Sequence, residues 1–271
     1  RGVRPAPAVG TLVGSPLPTS ARPIVPELTI DPRFHGPPHS ANGGYACGAV
    51  AALTDASVAV SLRVPPPLAH PMAATVGDDG GVVLHDGDTL VAEAVPADAA
   101  TVTPPTIVTL DQARDAMDRY VGFGEHPFPT CWVCGPRRPD GDGLHLYTGP
   151  VEGAPEGMGL VASTWTPDAD VDDGTGHVAT EHVWAALDCP TYFGAVGNEP
   201  ALLARLNASV HEPVRVGDSL VVMGWATDAA DGRKRHGASA VLTADGTVVA
   251  SAAALWVTLS AEALAQLLEP R

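Results

Sequence analysis

Asp188 is the carboxylate whose sequence context most strongly suggests chemistry. It lies among apolar and aromatic residues, between Val183 and Phe193, in a stretch that we predict to be a helix. A carboxylate surrounded by such side chains is partly desolvated, which raises its pKa and makes it a stronger base. It could then act as a nucleophile or as a base that activates water. Two structural alternatives stay open: an aspartate exposed on a helix, and one that caps a turn near Pro190.

A second candidate is the tripeptide Asn42-Gly43-Gly44, which opens a segment of small apolar residues. If that segment is a helix, its first backbone amides have no partner within the helix and form the positive end of the helix dipole. The amides of Gly44 and Tyr45 could then hold a partly negative oxygen, and glycine would permit its close approach. Asn is also a favoured helix cap, and paired glycines also allow tight packing, so a structural role stays open.

The cysteines raise the question of a metal site. The chain has four of them: Cys47, Cys131, Cys134 and Cys189. Cys131 and Cys134 form the motif CWVCG, but a structural zinc site needs four ligands and usually a second CxxC or a spaced pair of histidines. No second pair is present, and His126 and His145 flank the motif only loosely. We therefore expect no metal, and instead a reduced turn with one or both thiols packed inward.

The formal net charge of −16 limits the classes of partner. Nucleic acids and anionic membrane surfaces bind basic faces, so the sequence predicts neither as a partner. An anionic ligand would need a local basic patch. One candidate patch is Arg137 and Arg138, and another is the run Arg233-Lys234-Arg235. The alternative is that both are solvated loop charges.

The elements that would carry these residues repeat along the chain. Each repeat has a polar, Gly-rich turn, a helix of small apolar residues, and then strands broken by turns; the helices start near Asn42 and Thr180. Each repeat also contains a hairpin that turns at an Asp-Gly pair, Asp86-Gly87 and Asp245-Gly246. The strand after the second pair has few polar positions, as expected at the centre of a sheet. This repetition predicts two similar halves.

We therefore predict an α+β fold of two tandem halves, each an antiparallel sheet wrapped around a central helix. Residues 1–24 form a Pro/Gly-rich tail, 25–108 the N-terminal half, 109–130 a linker, and 131–271 the C-terminal half. The two central helices are expected over residues 43–59 and 180–197. Apolar positions recur at helical spacing within residues 106–121, which predicts a linker helix. Two unrelated α+β domains remain the alternative.

Composition and length are typical of a globular protein. The apolar fraction is 45% and the charged fraction 17%, and 271 residues suffice for a sizeable core. No apolar run approaches the roughly 20 residues that span a bilayer, and no signal peptide is visible, so we expect a cytoplasmic protein. Walker A, GxGxxG and GxSxG motifs are missing from the sequence, which weakens nucleotide-binding and serine-hydrolase functions.

Three stretches resemble acyl-CoA thioesterases of the hotdog fold. HSANGGYACGAVAAL, from His39, is similar to the turn and helix entry with paired glycines in those enzymes. CWVCGPRRPDGDGLHLY, from Cys131, resembles the CxxCG…GL opening of many thioesterase-like proteins. EHVWAALDCPTYFGA, from Glu181, resembles their central helix with its internal Asp. The resemblance extends over most of the chain, residues 25–259.

The resemblance implies a single-chain double hotdog that hydrolyses an acyl-CoA or acyl-carrier thioester without a cofactor. It implies Asp188 as nucleophile or base, with Asn42, Gly44 and Tyr45 at the start of the other helix stabilising the oxyanion. The residues expected to contact substrate are Gly43, Trp184, Tyr192, Arg137 and Arg138. Such a chain would be a monomer that acts as its own pseudo-dimer, or a homo-oligomer of such units.

The sequence departs from the family pattern in both halves. The first half keeps the paired glycines but has Ala51 about where an acid is expected, with Asp55 one turn later. The second half keeps Asp188 but lacks paired glycines. One hypothesis is a composite site, in which each half supplies what the other lacks. The other hypothesis is a decayed site, which would leave a non-catalytic protein that binds acyl ligands.

A further alternative is a hotdog enoyl-CoA hydratase, whose D-x4-H motif resembles the segment from Asp172 to His177. The hydratases carry an Asn in the middle of that motif, whereas Gly174 stands here, and the Gly-rich context favours a surface turn. His211 and Glu212 could help to polarise a water, but they lie at a predicted strand bend, which favours a structural role.

Overall fold

The computed structural model describes residues 26–269, and the predicted tail over residues 1–24 lies outside the described residues. The strands are β1 (Glu27–Leu28), β2 (Val58–Leu62), β3 (Met72–Val76), β4 (Val82–Asp86), β5 (Thr89–Pro96), β6 (Gly149–Pro150), β7 (Val161–Trp165), β8 (Ala201–Val210), β9 (Leu220–Ala226), β10 (Lys234–Thr243) and β11 (Val248–Thr258). The α-helices are α1 (Gly43–Ala51), α2 (Leu110–Met117), α3 (Thr180–Ala195) and α4 (Ala261–Leu268).

The strands form one antiparallel sheet, in the order β1-β3-β4-β5-β2-β8-β11-β10-β9-β7-β6. Strands β1 to β5 form one end of this sheet and β6 to β11 the other. The two ends join where β2 pairs with β8, around Val60 opposite Leu206. A sheet shared in this way argues against two separate, unrelated domains. Strand β11 pairs with β10 on one side and β8 on the other, which confirms its predicted central position.

Helices α1 and α3 pack against each other and are buried by the sheet. Helix α1 is apolar almost all round, as expected for a helix without a solvent-facing side. Two glycines one turn apart, Gly44 and Gly48, let its backbone approach α3 closely. A Cβ at Gly48 would lie 2.6 Å from Glu181 Cα and 2.8 Å from Trp184 Cβ. The small residues of α1 therefore set the distance between the two helices.

The first central helix is shorter than predicted, and the second agrees closely. Helix α1 ends at Ala51, not at residue 59, because the segment from Val58 belongs to β2 and pairs on both sides with β5 and β8. Its β-branched residues Val58 and Val60 fit a pleated surface better than a helix. Helix α3 runs from Thr180 to Ala195 and continues through Pro190.

Both predicted hairpins form. Strands β4 and β5 are joined at Gly87, which has a φ of +56°, and β10 and β11 are joined at Gly246, which has a φ of +90°. Glycine adopts these positive φ values at little steric cost. The Asp-Gly pairs therefore marked the turns correctly.

The linker helix is also present but shorter than predicted. Helix α2 begins after Thr109, whose hydroxyl accepts from the Gln112 amide while the Gln112 side chain accepts from the Thr109 amide. This reciprocal capping defines the helix start, so residues 106–108 precede the helix. The buried Ala113 and Ala116 face a small secondary core that includes Leu160.

None of the helices within residues 26–269 is both long enough and apolar enough to cross a membrane.

We expect Gly48→Ala to lower the free energy of unfolding by about 2 kcal/mol, because the added methyl overpacks the contact between α1 and α3. Gly124→Ala is the matched control. Gly124 has a φ of −80°, and a Cβ there would meet only Val121 O, at 3.7 Å. Its effect should stay within about 0.5 kcal/mol. Urea unfolding checks both, and equal midpoints for the two variants would contradict the packing argument.

Candidate active site

Asp188 is buried in α3 and is held by the first turn of α1. Its side chain is 1% exposed. One carboxylate oxygen, Oδ2, accepts from the Gly44 amide at 2.9 Å and from Asn42 Nδ2 at 3.2 Å. The other oxygen, Oδ1, has no hydrogen-bond partner among the described residues. An exposed aspartate and a turn cap, the two structural alternatives, are therefore wrong for this residue.

Burial raises the pKa of Asp188 to about 7. Desolvation is the largest cause, since it disfavours the charged form. The Gly44 amide and the Asn42 side chain act in the opposite direction, whereas nearby Cys131 raises the pKa further. The carboxylate thus has the increased basicity predicted from its apolar sequence context.

The first turn of α1 holds the protein's own carboxylate, which corrects part of the sequence prediction. Asn42 caps the helix by accepting from the Tyr45 amide at 2.9 Å, and the Gly44 amide donates to Asp188. Neither the Gly44 nor the Tyr45 amide is therefore free to hold a substrate oxygen in this structure. The Gly43 amide makes no hydrogen bond within the described part of the chain. It is the first-turn donor left for a ligand.

Thr191 of α3 and two side chains from the sheet hold the turn that carries Asp188. Thr191 Oγ1 donates to the Asp188 carbonyl at 2.7 Å, and Trp256 Nε1 on β11 donates to the same Thr191 hydroxyl at 2.8 Å. Ser239 on β10 donates to the Leu187 carbonyl at 2.7 Å. Thr191 is a neighbour on α3 itself, whereas Trp256 and Ser239 lie more than 50 residues away in the sequence from the groups they bind, and no local pattern pointed to them.

A cavity of about 250 Å³ adjoins Asp188 and is lined mainly by apolar residues. Its walls come from both ends of the sheet: residues 36–43 and 62–66 on one side, and residues 126–134, 188–192, 201–204 and 256–259 on the other. Ser40 also lines it, and the Ser40 hydroxyl has no partner among the described residues. Asp188 Oδ1 and Ser40 Oγ are thus two buried polar atoms without a hydrogen-bond partner among the described residues, and both residues line the same cavity.

The predicted substrate contacts divide into two groups. Gly43 and Tyr192 line the cavity, and the Tyr192 hydroxyl donates to the Glu199 carbonyl at 2.7 Å. Trp184 does not line it: the indole is buried against Gly48 where α1 meets α3. The structure therefore places Trp184 between the two helices and not with the residues that line the cavity. Tyr45 also lies outside the cavity lining, and its ring stacks on Phe34 with centroids 4.1 Å apart.

The arginine pair at 137–138 does not form the predicted patch for a ligand phosphate. The Arg138 side chain is only 7% exposed, and it binds Asp142, the Thr130 carbonyl and the Arg33 carbonyl. Its donors are thus engaged within the protein. Arg137 is exposed, but it lies outside the lining of the cavity beside Asp188.

Arg63 is a cavity residue that the sequence did not reveal. It follows β2 and is the one arginine or lysine among the described residues that line this cavity. Its side chain is half exposed and pairs with Glu93 at 2.6 Å. A lone arginine after an apolar strand has no distinctive sequence signal, so only the fold brings it to the cavity. The run at 233–235, the second candidate patch, lies outside the cavity lining.

The two segments that contain His177 and His211 lie outside the cavity lining, and both histidines bind neighbouring hydroxyl groups. Asp172 accepts from the Gly174 and Gly176 amides in an exposed turn, and His177 contacts the Thr175 hydroxyl there. This is the surface turn expected for that motif, and the turn lies outside the cavity lining, which argues against the hydratase alternative. His211 contacts the Ser251 hydroxyl at 2.8 Å, also outside the cavity lining.

Three cysteines form a buried cluster that could hold a metal. The sulfur atoms of Cys131, Cys134 and Cys189 all lie within 4.8 Å of one another. Hydrogen bonds from the other two thiols lower the pKa of the Cys131 thiol. The sequence pattern identified Cys131 and Cys134 as a pair, and the fold adds Cys189 from α3. His145 contacts the Tyr147 hydroxyl instead.

Two solved structures are similar to this chain over most of its length. The tesB protein of Mycobacterium avium subsp. paratuberculosis has a TM-score of 0.56 at 15% identity, covering 86% of this chain and 92% of that one. A protein of Alicyclobacillus acidocaldarius described as having a hot dog fold has a TM-score of 0.55 at 12% identity, with the same two coverages. The chain has the hotdog fold. At these identities the similarity concerns the fold alone.

The hotdog fold predicted from sequence resemblance is thus confirmed. No protein-family model and no curated protein sequence matches the chain.

We expect Arg138→Ala to destabilise the hotdog by about 2 kcal/mol or more, because it removes a buried charged donor and leaves the carbonyls of Arg33 and Thr130 without it. Arg137→Ala is the matched control and should change stability by less than about 0.5 kcal/mol, since its side chain is exposed. Chemical unfolding of both variants measures this. If Arg137→Ala were the more destabilising change, the assignment of Arg138 as a structural residue would be wrong.

Proposed function

We propose that this protein hydrolyses an acyl-CoA or acyl-carrier thioester at a composite site between two hotdog halves. The observation that carries the proposal is the position of Asp188. Asp188 lies on α3 and lines an apolar cavity. Its carboxylate accepts hydrogen bonds from Gly44 and Asn42 at the start of α1. A basic carboxylate beside a helix N-terminus suits the attack of water on a carbonyl.

The double-hotdog arrangement is part of the proposal. Each half would supply one buried helix and its own strands, with the pair β2–β8 joining them. Helices α1 and α3 would correspond to the central helices of the two halves. The chain would then act as its own pseudo-dimer, and the free state of all four cysteines suits the cytoplasm.

In the proposed reaction, Asp188 takes a proton from water through Oδ1, the oxygen without a partner among the described residues. The water oxygen forms a bond to the thioester carbonyl carbon, and the C=O π electrons move to the carbonyl oxygen. When this oxyanion collapses, the C–S bond breaks and the leaving thiolate takes the proton from Asp188. The products are a carboxylic acid and a free thiol.

Two groups are available to stabilise the oxyanion in this scheme. The Gly43 amide has no partner within the described part of the chain and lies in the first turn of α1, where the helix dipole favours negative charge. The Ser40 hydroxyl, which is also unpartnered there, could donate a second hydrogen bond. We assign the oxyanion to these two donors, because the Gly44 amide already binds Asp188.

The rest of the cavity suits an acyl chain and an anionic carrier. Leu203, Phe128 and Trp256 are among the apolar side chains that line it, and they would contact the acyl group. Arg63 would contact a phosphate of CoA or of a carrier's phosphopantetheine. A net charge of −16 makes such a local cation necessary for an anionic ligand.

Asp188→Asn should lower thioester hydrolysis by about 10²-fold or more, because an amide can act neither as base nor as nucleophile. The Asn oxygen can still accept from Gly44 and Asn42, so we expect the fold and ligand binding to be preserved. Steady-state thiol release from acyl-CoAs of varied chain length measures the rate, with melting curves alongside.

Asp55→Asn is the control for this experiment. Asp55 is exposed and lies four residues beyond the end of α1, outside the cavity lining, so hydrolysis should be nearly unchanged. Loss of turnover in Asp55→Asn with full activity in Asp188→Asn would overturn the composite site. If the unaltered protein binds acyl-CoAs but releases no thiol from any of them, the non-catalytic binding function replaces this proposal.

Arg63→Ala should raise the KM for an acyl-CoA by about 10-fold, the effect of losing one charge-assisted contact of about 1.4 kcal/mol. The same change should leave the KM for an acyl-pantetheine, which lacks phosphates, within about 2-fold. Comparing the two substrates separates a phosphate contact from a change in cavity shape. An equal rise for both substrates would remove Arg63 from phosphate binding.

A further inference from the structure

Three buried thiols from two distant segments meet beside the cavity. Cys131 and Cys134 lie in the turn that precedes β6, and Cys189 lies on α3, directly after Asp188. All three sulfur atoms lie within 4.8 Å of one another, and all three residues are at most 5% exposed. All three cysteines also line the cavity.

The spacing of the sulfur atoms suits a single metal ion. A tetrahedral zinc ion with Zn–S bonds of about 2.3 Å separates its sulfur ligands by about 3.8 Å. No two of the three sulfurs are therefore more than about 1 Å farther apart than that spacing. An iron–sulfur cluster distributes its cysteines over several iron atoms, which requires wider separations. The arrangement thus favours one ion bound by all three thiolates.

Each of the three sulfurs also has a side-chain N–H group nearby. Asn42 Nδ2 lies 3.9 Å from both the Cys131 and the Cys189 sulfur, and His126 Nε2 lies 3.4 Å from the Cys134 sulfur. Such outer hydrogen bonds to ligand atoms orient and support a metal site. Asn42 donates one hydrogen to Asp188, so its second N–H is shared by the Cys131 and Cys189 sulfurs, while His126 faces Cys134; these N–H groups suit thiolates better than three neutral thiols.

The hydrogen bonds of His126 make it a donor to sulfur and leave it unsuited as a fourth ligand. The Phe128 amide donates to His126 Nδ1 at 2.9 Å, so Nδ1 carries no proton. A neutral ring then has its proton on Nε2, the nitrogen that faces Cys134. A protonated Nε2 cannot bind a metal. The fourth position is therefore left for solvent or a ligand, on the side where the cluster borders the cavity.

We propose that Cys131, Cys134 and Cys189 form a mononuclear zinc site whose fourth coordination position faces the cavity. Thiolate ligands select zinc over the hard cations magnesium and calcium. The ion would tie the CWVCG turn to α3 next to Asp188, and its charge would offset that of three thiolates in a buried place. This site is independent of the proposed hydrolysis, because it depends only on the thiols and their donors.

The proposal departs from the expectation of no metal, and the reason lies in the fold. That expectation rested on finding only one spaced cysteine pair and no further ligands near it in the sequence. Cys189 is 55 positions beyond Cys134 in the sequence, yet their sulfurs lie within 4.8 Å of each other. The folded chain therefore supplies three protein ligands instead of two, and solvent or a ligand would complete the site.

Elemental analysis of the full chain, purified under reducing conditions without chelators, tests the proposal directly. We expect one zinc per chain in the unaltered protein and in Cys47→Ala, the control at the one buried cysteine outside the cluster. Cys131→Ser and Cys189→Ser should each lose most of the zinc. Cobalt(II) added after zinc removal should give the intense absorption of cobalt–thiolate bonds in the unaltered protein and in Cys47→Ala only.

The unaltered protein alone can overturn the proposal if the serine variants fail to fold. A zinc content near zero, together with zinc binding weaker than about 1 µM in a chelator competition, would do so. A Cys131–Cys134 disulfide found by mass spectrometry under the same conditions would also overturn the zinc site. His126→Gln should keep one zinc per chain while weakening its affinity by about 10- to 100-fold. Complete loss of zinc there would make His126 the fourth ligand and overturn the open position.

Discussion

The hydrogen bonds from the first turn of α1 to the buried Asp188 carboxylate are the contact on which the site depends. A buried carboxylate without partners is costly, so its position requires donors that do not move. The Gly44 amide supplies one, and Asn42 supplies the second while it caps the same helix. Since both donors bind Oδ2, the other oxygen remains without a partner among the described residues. These two hydrogen bonds thus hold the carboxylate in place and leave Oδ1 able to accept a further hydrogen bond.

That contact constrains the packing of the whole molecule, because α1 and α3 must approach each other at backbone distance. A side chain at Gly44 would collide with Asp188 itself, so this position requires glycine. The sheet then holds α3 from its other side, through Ser239 and through Trp256 by way of Thr191. The cavity lies where these layers meet, and residues from both ends of the sheet line it.

Much of the fold could be predicted from the sequence, because the decisive signals were local. Asp-Gly pairs marked both hairpins, and small apolar residues marked both central helices. The desolvation of Asp188 followed from its apolar neighbours, and its burial at 1% exposure agrees. Helix ends were less predictable: α1 stops at Ala51 because β2 pairs on both sides, which is a long-range effect.

The composition of the site was decided by the tertiary structure. The sequence alone determined which residues were chemically capable: Asp188, the glycines before Tyr45, and the CWVCG pair. It could not show that the Gly44 amide binds Asp188, that Arg138 is buried by internal hydrogen bonds, or that Arg63 reaches the cavity. Nor could it bring Cys189 to the other two thiols. Local signals depend on neighbours within a turn or two of the chain, whereas these contacts join segments that only the folded sheet and its helices bring together.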